Sequence, residues 1–237
     1  MKIPVLKKDS VLLQDYVETG FLVLINKPVG WTSFDVCKKI RRIANIKKVG
    51  HAGTLDPFAT GLMVIGVGKG TKLLSSFLNS SKKYRAVIEF GKSTDSYDIT
   101  GEITKQTDNF NLELTELSDT VKQFTGKISQ VPPMYSAKKI GGKPLYKYAR
   151  KGLELQREAV PVEIYKAEIK KWEKPYLELM LHVSKGTYIR SYANDLGETL
   201  NIPAVLKELE RTQIDSYKLE ESFRIEEFEV FWAKVAA

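Results

Sequence analysis

Apolar residues along this chain come in short runs broken by turn-forming residues, and the period of each run predicts its element. Phe21-Leu22-Val23-Leu24-Ile25 is continuous and stops at Asn26-Lys27-Pro28-Val29-Gly30, which predicts a buried strand followed by a turn. A helix is predicted next. Thr32 and Asp35 have the spacing of a capping box, and Phe34, Cys37, Ile40 and Ala44 fall on one face while lysines and arginines occupy the other. Residues 62–67 read as a second buried strand and residues 71–77 as a short helix. Residues 83–91 alternate, with Tyr84, Ala86, Ile88 and Phe90 on one side of a half-buried strand.

Helical spacing returns over residues 117–124 and stops at Gly126. Residues 130–143 hold two prolines and two glycines with little periodicity, so a long exposed loop is expected, and loops of that length are usually functional or mobile. A short helix over 145–151 should end at Gly152. Residues 159–172 and 177–185 read as paired strands, the second with Leu177, Leu179, Leu181 and Val183 facing one way and His182 the other; that parity gives His182 no role. Residues 188–200 look helical, 213–219 strand-like, and 225–232 like a terminal helix with Glu226, Glu227 and Glu229 on its polar side.

Composition narrows the class. A chain of 237 residues, 43% hydrophobic and 28% charged, can bury a sizeable core as one large domain, with or without an appendage. No apolar run approaches the roughly 18 residues of a membrane span, and the N-terminus lacks the apolar segment of a secretion signal, so a cytoplasmic location is expected. Cys37 is the single cysteine and His51 and His182 are the only histidines, which argues against a thiolate or imidazole zinc site. No carboxylate cluster asks for magnesium.

The net charge of +8 is unevenly spread. No acidic residue lies between Val36 and Leu55, where Lys38, Lys39, Arg41, Arg42, Lys47 and Lys48 accumulate. A second acid-free block, from Ser136 to Gly152, carries Lys138, Lys139, Lys143, Lys147, Arg150 and Lys151 with Tyr146 and Tyr148 interleaved. Clustered cations with aromatic neighbours suit a polyanion that presents unstacked bases, which describes RNA better than duplex DNA; a solvated basic face is the plainer alternative.

The basic approach at Lys47-Lys48 leads into Val49-Gly50-His51-Ala52-Gly53-Thr54-Leu55-Asp56-Pro57-Phe58-Ala59-Thr60-Gly61, a glycine-bracketed loop holding one carboxylate. Pro57 pushes Asp56 into an extended conformation, and the glycines let the backbone turn tightly or approach a ligand. On local grounds an ordinary Asp-Pro turn is a better reading than a displayed catalytic acid. Gly66-Val67-Gly68-Lys69-Gly70-Thr71 only superficially resembles a phosphate-binding loop, since Gly70 rather than Ser or Thr follows the lysine.

The segment from His51 to Gly61 resembles the tRNA pseudouridine synthases of the TruB type, whose hallmark is Gly-His-x-Gly-x-Leu-Asp-Pro-x-Ala-x-Gly. Asn26-Lys27-Pro28-x-Gly30-x-Thr32-Ser33 resembles the family's first motif and Lys83-Tyr84 its second. Gln130-x-Pro132-Pro133-x-Tyr135-Ser136-Ala137-Lys138 resembles its RNA-gripping insertion, and Lys185-Gly186-Thr187-Tyr188-Ile189-Arg190 its last motif. These stand in family order between Phe21 and Thr212.

The resemblance implies an α/β (α+β) pseudouridine synthase fold: a single catalytic domain over residues 1–237 with a mixed, mostly antiparallel central sheet, flanking helices and a basic insertion at about 126–152. It implies an isomerase that flips the T-loop uridine at position 55 of tRNA into a pocket and converts it to pseudouridine with no cofactor and no metal. The T-arm of tRNA would be its partner, with no membrane and no obligatory protein partner, and the chain a monomer. Asp56 would be the catalytic carboxylate, Arg190 the arginine serving it or else a phosphate contact, and Tyr84 the aromatic that stacks on the target base or else a core residue. His51, Tyr188, Leu209, Lys27 and Lys138 would contact substrate, although a core leucine is nearly as good a reading for Leu209. Two departures stand out. A C-terminal RNA-binding domain of the PUA type is expected to be missing, and Ser96-Tyr97-Asp98 replaces a more usual Asp- or Thr-rich turn, with little consequence expected.

Overall fold

The computed structural model of the chain describes residues 3–11 and 16–235, so the outermost residues of the expected domain lie outside the described part. Contacts gather into two compact units, Met1–Tyr84 with Leu209–Ala237 and Arg85–Glu208. The first contains β1 (Val5–Leu6), α1 (Tyr16–Thr19), β2 (Phe21–Lys27), α2 (Ser33–Ala44), β3 (Val49–His51), β4 (Thr60–Val67) and α3 (Leu74–Leu78). The chain leaves it within β5 (Lys82–Phe90) and continues through β6 (Lys92–Thr94), β7 (Ile103–Gln106), α4 (Leu114–Gln123) and β8 (Gly126–Gln130). Then follow β9 (Lys139–Ile140), β10 (Lys143–Pro144), α5 (Tyr146–Ala149), β11 (Val160–Glu173), β12 (Tyr176–Val183) and α6 (Ile189–Thr199). It returns within β13 (Ala204–Ile214), turns into β14 (Tyr217–Lys218) and ends in α7 (Ile225–Val235).

In the first unit β4 is the hub. It pairs antiparallel with β2 along seven residues, antiparallel with β3, and parallel with β13 at Glu210↔Thr60 and Arg211↔Gly61. β4 and β2 are apolar nearly throughout because both faces are covered. Leu22, Leu24, Ala52, Leu62, Val64 and Ile214 form a cluster on one side. Phe21, Phe228 and Trp232 bring α7 against β2, with Phe21 and Trp232 ring centroids 4.8 Å apart. Burying side chains of this size contributes about 1.5–3 kcal/mol each.

The second unit is built on the order β5-β12-β11-β8. Its long hairpin β11–β12 is antiparallel, as is β8 on β11. Leu177, Leu179, Leu181 and Val183 face its core as the alternation predicts, and His182 lies on the other side against the Tyr165 ring, 4.9 Å between centroids. The chain is thus mixed α/β with mostly antiparallel strand pairs, as expected.

Three local expectations change. The buried stripe of α2 is Ser33, Val36, Cys37, Ile40 and Ala44, and Phe34 is 65% exposed. A serine does not register as apolar, yet Ser33 stands one turn before Val36 and Cys37, whereas Phe34 is about 100° round the helix from it. The single strand expected over 213–219 is a hairpin: β13 starts at Ala204 and reverses at Asp215, which takes the positive φ of a tight two-residue turn. The expected loop of 130–143 contains the hairpin β9–β10, made by Gly141 and Gly142 in succession at φ 57° and 78°.

Candidate active site

The Asp56 loop runs from the end of β3 to the start of β4, and each residue near Asp56 is tied down by a group from elsewhere in the first unit. Ahead of it, the Arg211 guanidinium donates to the carbonyls of Gly53 (3.2 Å) and Thr54 (3.5 Å), and its Nε donates to Leu62 O on β4 (2.8 Å). The Leu55 N–H donates to Ser33 Oγ (2.8 Å), whose own hydroxyl donates to Leu55 O (3.0 Å). Behind Asp56, Pro57 O accepts from Gly30 N (2.8 Å) and from Lys27 Nζ (3.2 Å). Asp56 itself is half-buried. Hydrogen bonds like these are individually worth about 1 kcal/mol; their combined effect is that one carboxylate is presented on a loop whose backbone has little freedom.

The sequence explains why the loop can be held. Thr32 caps α2 with the capping box its spacing predicts: the Asp35 N–H donates to Thr32 Oγ1 (3.0 Å) and Thr32 N donates back to the Asp35 carboxylate (3.0 Å). That fixes the first turn of α2, and with it Ser33. Gly61, at φ 107°, sits where a Cβ would lie 2.5 Å from Arg211 O, so only glycine lets β13 come this close.

Charge is concentrated beneath the loop. Lys27 is fully buried, and its ammonium spends three donors on the carbonyls of Pro28 (2.9 Å), Trp31 (2.6 Å) and Pro57. Burial pulls its pKa down to about 8, against the pull of Asp56 and helped by Arg211. His51 is also pulled below the ordinary imidazole value, first by burial and then by the Arg211 charge, with the Gly53 backbone opposing; it is neutral at pH 7. Tyr84 and Leu209, both buried, complete the expected residues of this unit.

In the second unit Arg190 stands at the start of α6 and is almost wholly buried. Its guanidinium donates to Ser96 O (2.9 Å) and Tyr135 O (2.7 Å) and lies 3.5 Å from the Asp98 carboxylate. Asp98 is in turn held by Ser96 Oγ (3.0 Å), Thr100 N (3.0 Å) and Thr100 Oγ1 (2.5 Å). Tyr188 is clamped through its backbone: its N–H donates to Gln130 Oε1 (2.8 Å) and its carbonyl accepts from Gln130 Nε2 (3.0 Å). Lys138 is half-exposed just before the β9–β10 hairpin.

The sequence pattern of the TruB family pseudouridylate synthase N-terminal domain matches residues 41–189. The chain belongs to that family. A tRNA pseudouridine synthase B from Clostridium tetani is 44% identical over 206 residues, covering 87% of this chain and 71% of the relative. One from Ureaplasma parvum is 42% identical over 217 residues, covering 90% and 95%. Among solved structures, a Cbf5-Nop10-Gar1 complex superposes with a TM-score of 0.73 at 23% identity, over 97% of this chain and 62% of that one. The archaeal box H/ACA sRNP Nop10-Cbf5 complex gives 0.69 at 22%, over 94% and 57%. The chain therefore spans less than two thirds of those solved chains, and at this identity the likeness speaks for the fold.

Set in the TruB family, the expected site residues divide between the units: Asp56, His51, Lys27, Tyr84 and Leu209 in the first, Arg190, Tyr188 and Lys138 in the second. Lys27, expected to contact substrate, spends its three N–H donors on backbone, an arrangement that suits loop support. Four residues escaped the sequence reading. Ser33, Arg211 and Gln130 lie inside quoted motifs or beside Leu209 but were given no task, and Asp98, expected to matter little, lies against Arg190. The positive φ of Tyr97 (65°) at a non-glycine between Ser96 and Asp98 marks that turn as strained. Among the described residues no group of three His, Cys, Asp or Glu side chains is placed to hold a metal ion, and no helix is long and apolar enough to cross a membrane.

Proposed function

We propose that this chain isomerises the uridine at position 55 in the T-loop of tRNA to pseudouridine, with Asp56 as the catalytic carboxylate. The reaction breaks the bond from ribose C1′ to N1 and makes one from C1′ to C5; C5 gives up a proton and N1 ends with one. Nothing is gained or lost overall, so no oxidant or reductant is required. What is required is a base everted from its stack and an ionised carboxylate acting at the sugar or the ring. The observation that carries the reading is the immobilised loop: an acid that must meet a reacting atom gains most from being held in place beforehand.

In this reading Arg190 is the arginine that serves the acid, Tyr84 and Tyr188 supply aromatic surface to the flipped base, and Leu209 closes the pocket. His51, neutral at pH 7, offers the nucleotide a hydrogen-bonding group without adding charge. Lys138 and its neighbours hold phosphates. The partner is the T-arm of tRNA, with the chain acting in the cytoplasm as a monomer without an obligatory subunit. The test is Asp56→Asn on T-arm RNA: pseudouridine formation should vanish while RNA binding stays close to that of the unchanged protein. Retained isomerisation would remove Asp56 from the mechanism, and mapping pseudouridine in cellular tRNA with and without the protein checks the position.

A further inference from the structure

Arg211 is 1% exposed on a strand of the first unit, in a protein whose other cations mostly reach water. A buried guanidinium is costly, and among the described residues no carboxylate lies within ion-pair distance of it; its donors go to backbone carbonyls instead. An apolar side chain of similar size would avoid the buried charge but leave the Gly53, Thr54 and Leu62 carbonyls without this donor, so the charge and the planar fork call for an explanation in what they hold.

Their placement supplies it. One flat group reaches both stems of the Asp56 loop, Gly53 and Thr54 on the side of β3 and Leu62 on the side of β4. The Arg211 backbone lies in parallel register with Gly61, at a distance only glycine permits. The same residue therefore fixes the loop twice, by side chain and by main chain.

We propose that Arg211 is a positioning residue that sets where the Asp56 carboxylate stands, and so governs the rate of isomerisation rather than affinity for RNA. The proposal rests on the reading of Asp56 as the catalytic acid. A lysine at 211 can satisfy one carbonyl but not both stems, because a point donor does not reproduce a planar fork.

Arg211→Lys and Arg211→Gln should be compared with the unchanged protein by single-turnover rate at saturating T-arm RNA, by RNA Kd, and by thermal unfolding. The Lys variant is expected to fold and to turn over about 10²-fold more slowly, with Kd within about threefold and the Gln variant slower still. A folded Lys variant with near-normal rate overturns the proposal. So does a Kd that weakens in step with the rate, which would make Arg211 a binding residue. Loss of folding in both variants overturns it too, since Arg211 would then be a keystone of the core. The Asp56→Asn experiment keeps the two readings apart: if that variant turns over, the catalytic reading fails whatever Arg211 does.

Discussion

Residues 53–57 of the first unit and residues 137–152 of the second are both loops carrying groups with a proposed task, yet they are held in opposite ways. Around Asp56, buried side chains from β2, α2 and β13 grip the backbone on both flanks. In the insertion, Val131, Pro132 and Tyr135 are fastened by Ser191, Arg157 and Arg190. Beyond Ser136 the bonds are largely internal: Leu145 N to Lys138 O, Tyr146 N to Ser136 O, and the short hairpin. Lys139, Lys143 and Lys147 then project into water. A reacting group needs a fixed place, because misplacement by about 1 Å costs rate. A phosphate grip needs only charge at the right height, and gains from adapting to the RNA.

The sharpest way to break the contrast is to loosen the firmly held groups, first Arg190 of the second unit and then Ser33 of the first. Arg190→Lys should lower the rate by about 10²–10³-fold, the loss expected on removing a preorganised donor, because a lysine cannot span Ser96 O, Tyr135 O and Asp98 together. Near-normal turnover would leave Arg190 as a buried structural residue that ties Ser96, Tyr135 and Asp98 together. Ser33→Ala removes both hydrogen bonds to Leu55 with hardly any change in volume. It is expected to slow isomerisation by roughly 10-fold or more at unchanged Kd. An equal loss of affinity would show that the serine shapes the RNA surface instead.

Lys27 sharpens the comparison through pH. Its three acceptors need the ammonium form, so activity should decline as pH rises past about 8, where burial has placed its pKa. Stability should move the other way. The folded protein binds fewer protons at Lys27 than the unfolded chain, whose lysine titrates near its ordinary 10.5, so between about 8 and 10.5 unfolding free energy from this group rises with pH. Lys27→Met should abolish that rise in thermal melts. A stability slope that survives the substitution would assign it to another group.

The two regions also differ in how legible they were. The motif order gave Asp56 and Arg190, since each stands in a run of distinctive residue types. What holds them was hidden for physical reasons. Ser33 supports Leu55 from 22 residues away, and Arg211 supports Gly53 from 158; a reading by period and spacing sees only local neighbours. Asp98 was passed over because its partner lies on α6. Strands with one buried face were read well, and Phe34 was misplaced because a small polar residue, not a large apolar one, completed the stripe. Charge, by contrast, needs no partner to be seen: the basic blocks could be counted directly, which is why the adaptable region was easier to find than to detail.

The smallest expected effect tests the adaptable side. Replacing Lys138, Lys139 and Lys143 together by alanine should leave the single-turnover rate at saturating RNA unchanged, because none of them supports the Asp56 loop. Binding should weaken by a salt-dependent amount, and the slope of log K against log salt should flatten by about 2–3 for three lost phosphate contacts. The hairpin turn is formed by Gly141 and Gly142, not by the lysines, so folding of the tip should survive. An unchanged slope would mean that the tip never reaches the RNA backbone. A fall in the saturated rate would dissolve the contrast itself, since a grip that also governs chemistry must be mechanically joined to the acid. Within its unit the insertion is tied to Arg190 through Tyr135, whose carbonyl accepts from the guanidinium at 2.7 Å and whose hydroxyl donates to Asp95 at 3.0 Å. Tyr135→Phe, which frees Asp95 but keeps the carbonyl on Arg190, would then separate a pull through the side chain from a pull through the backbone.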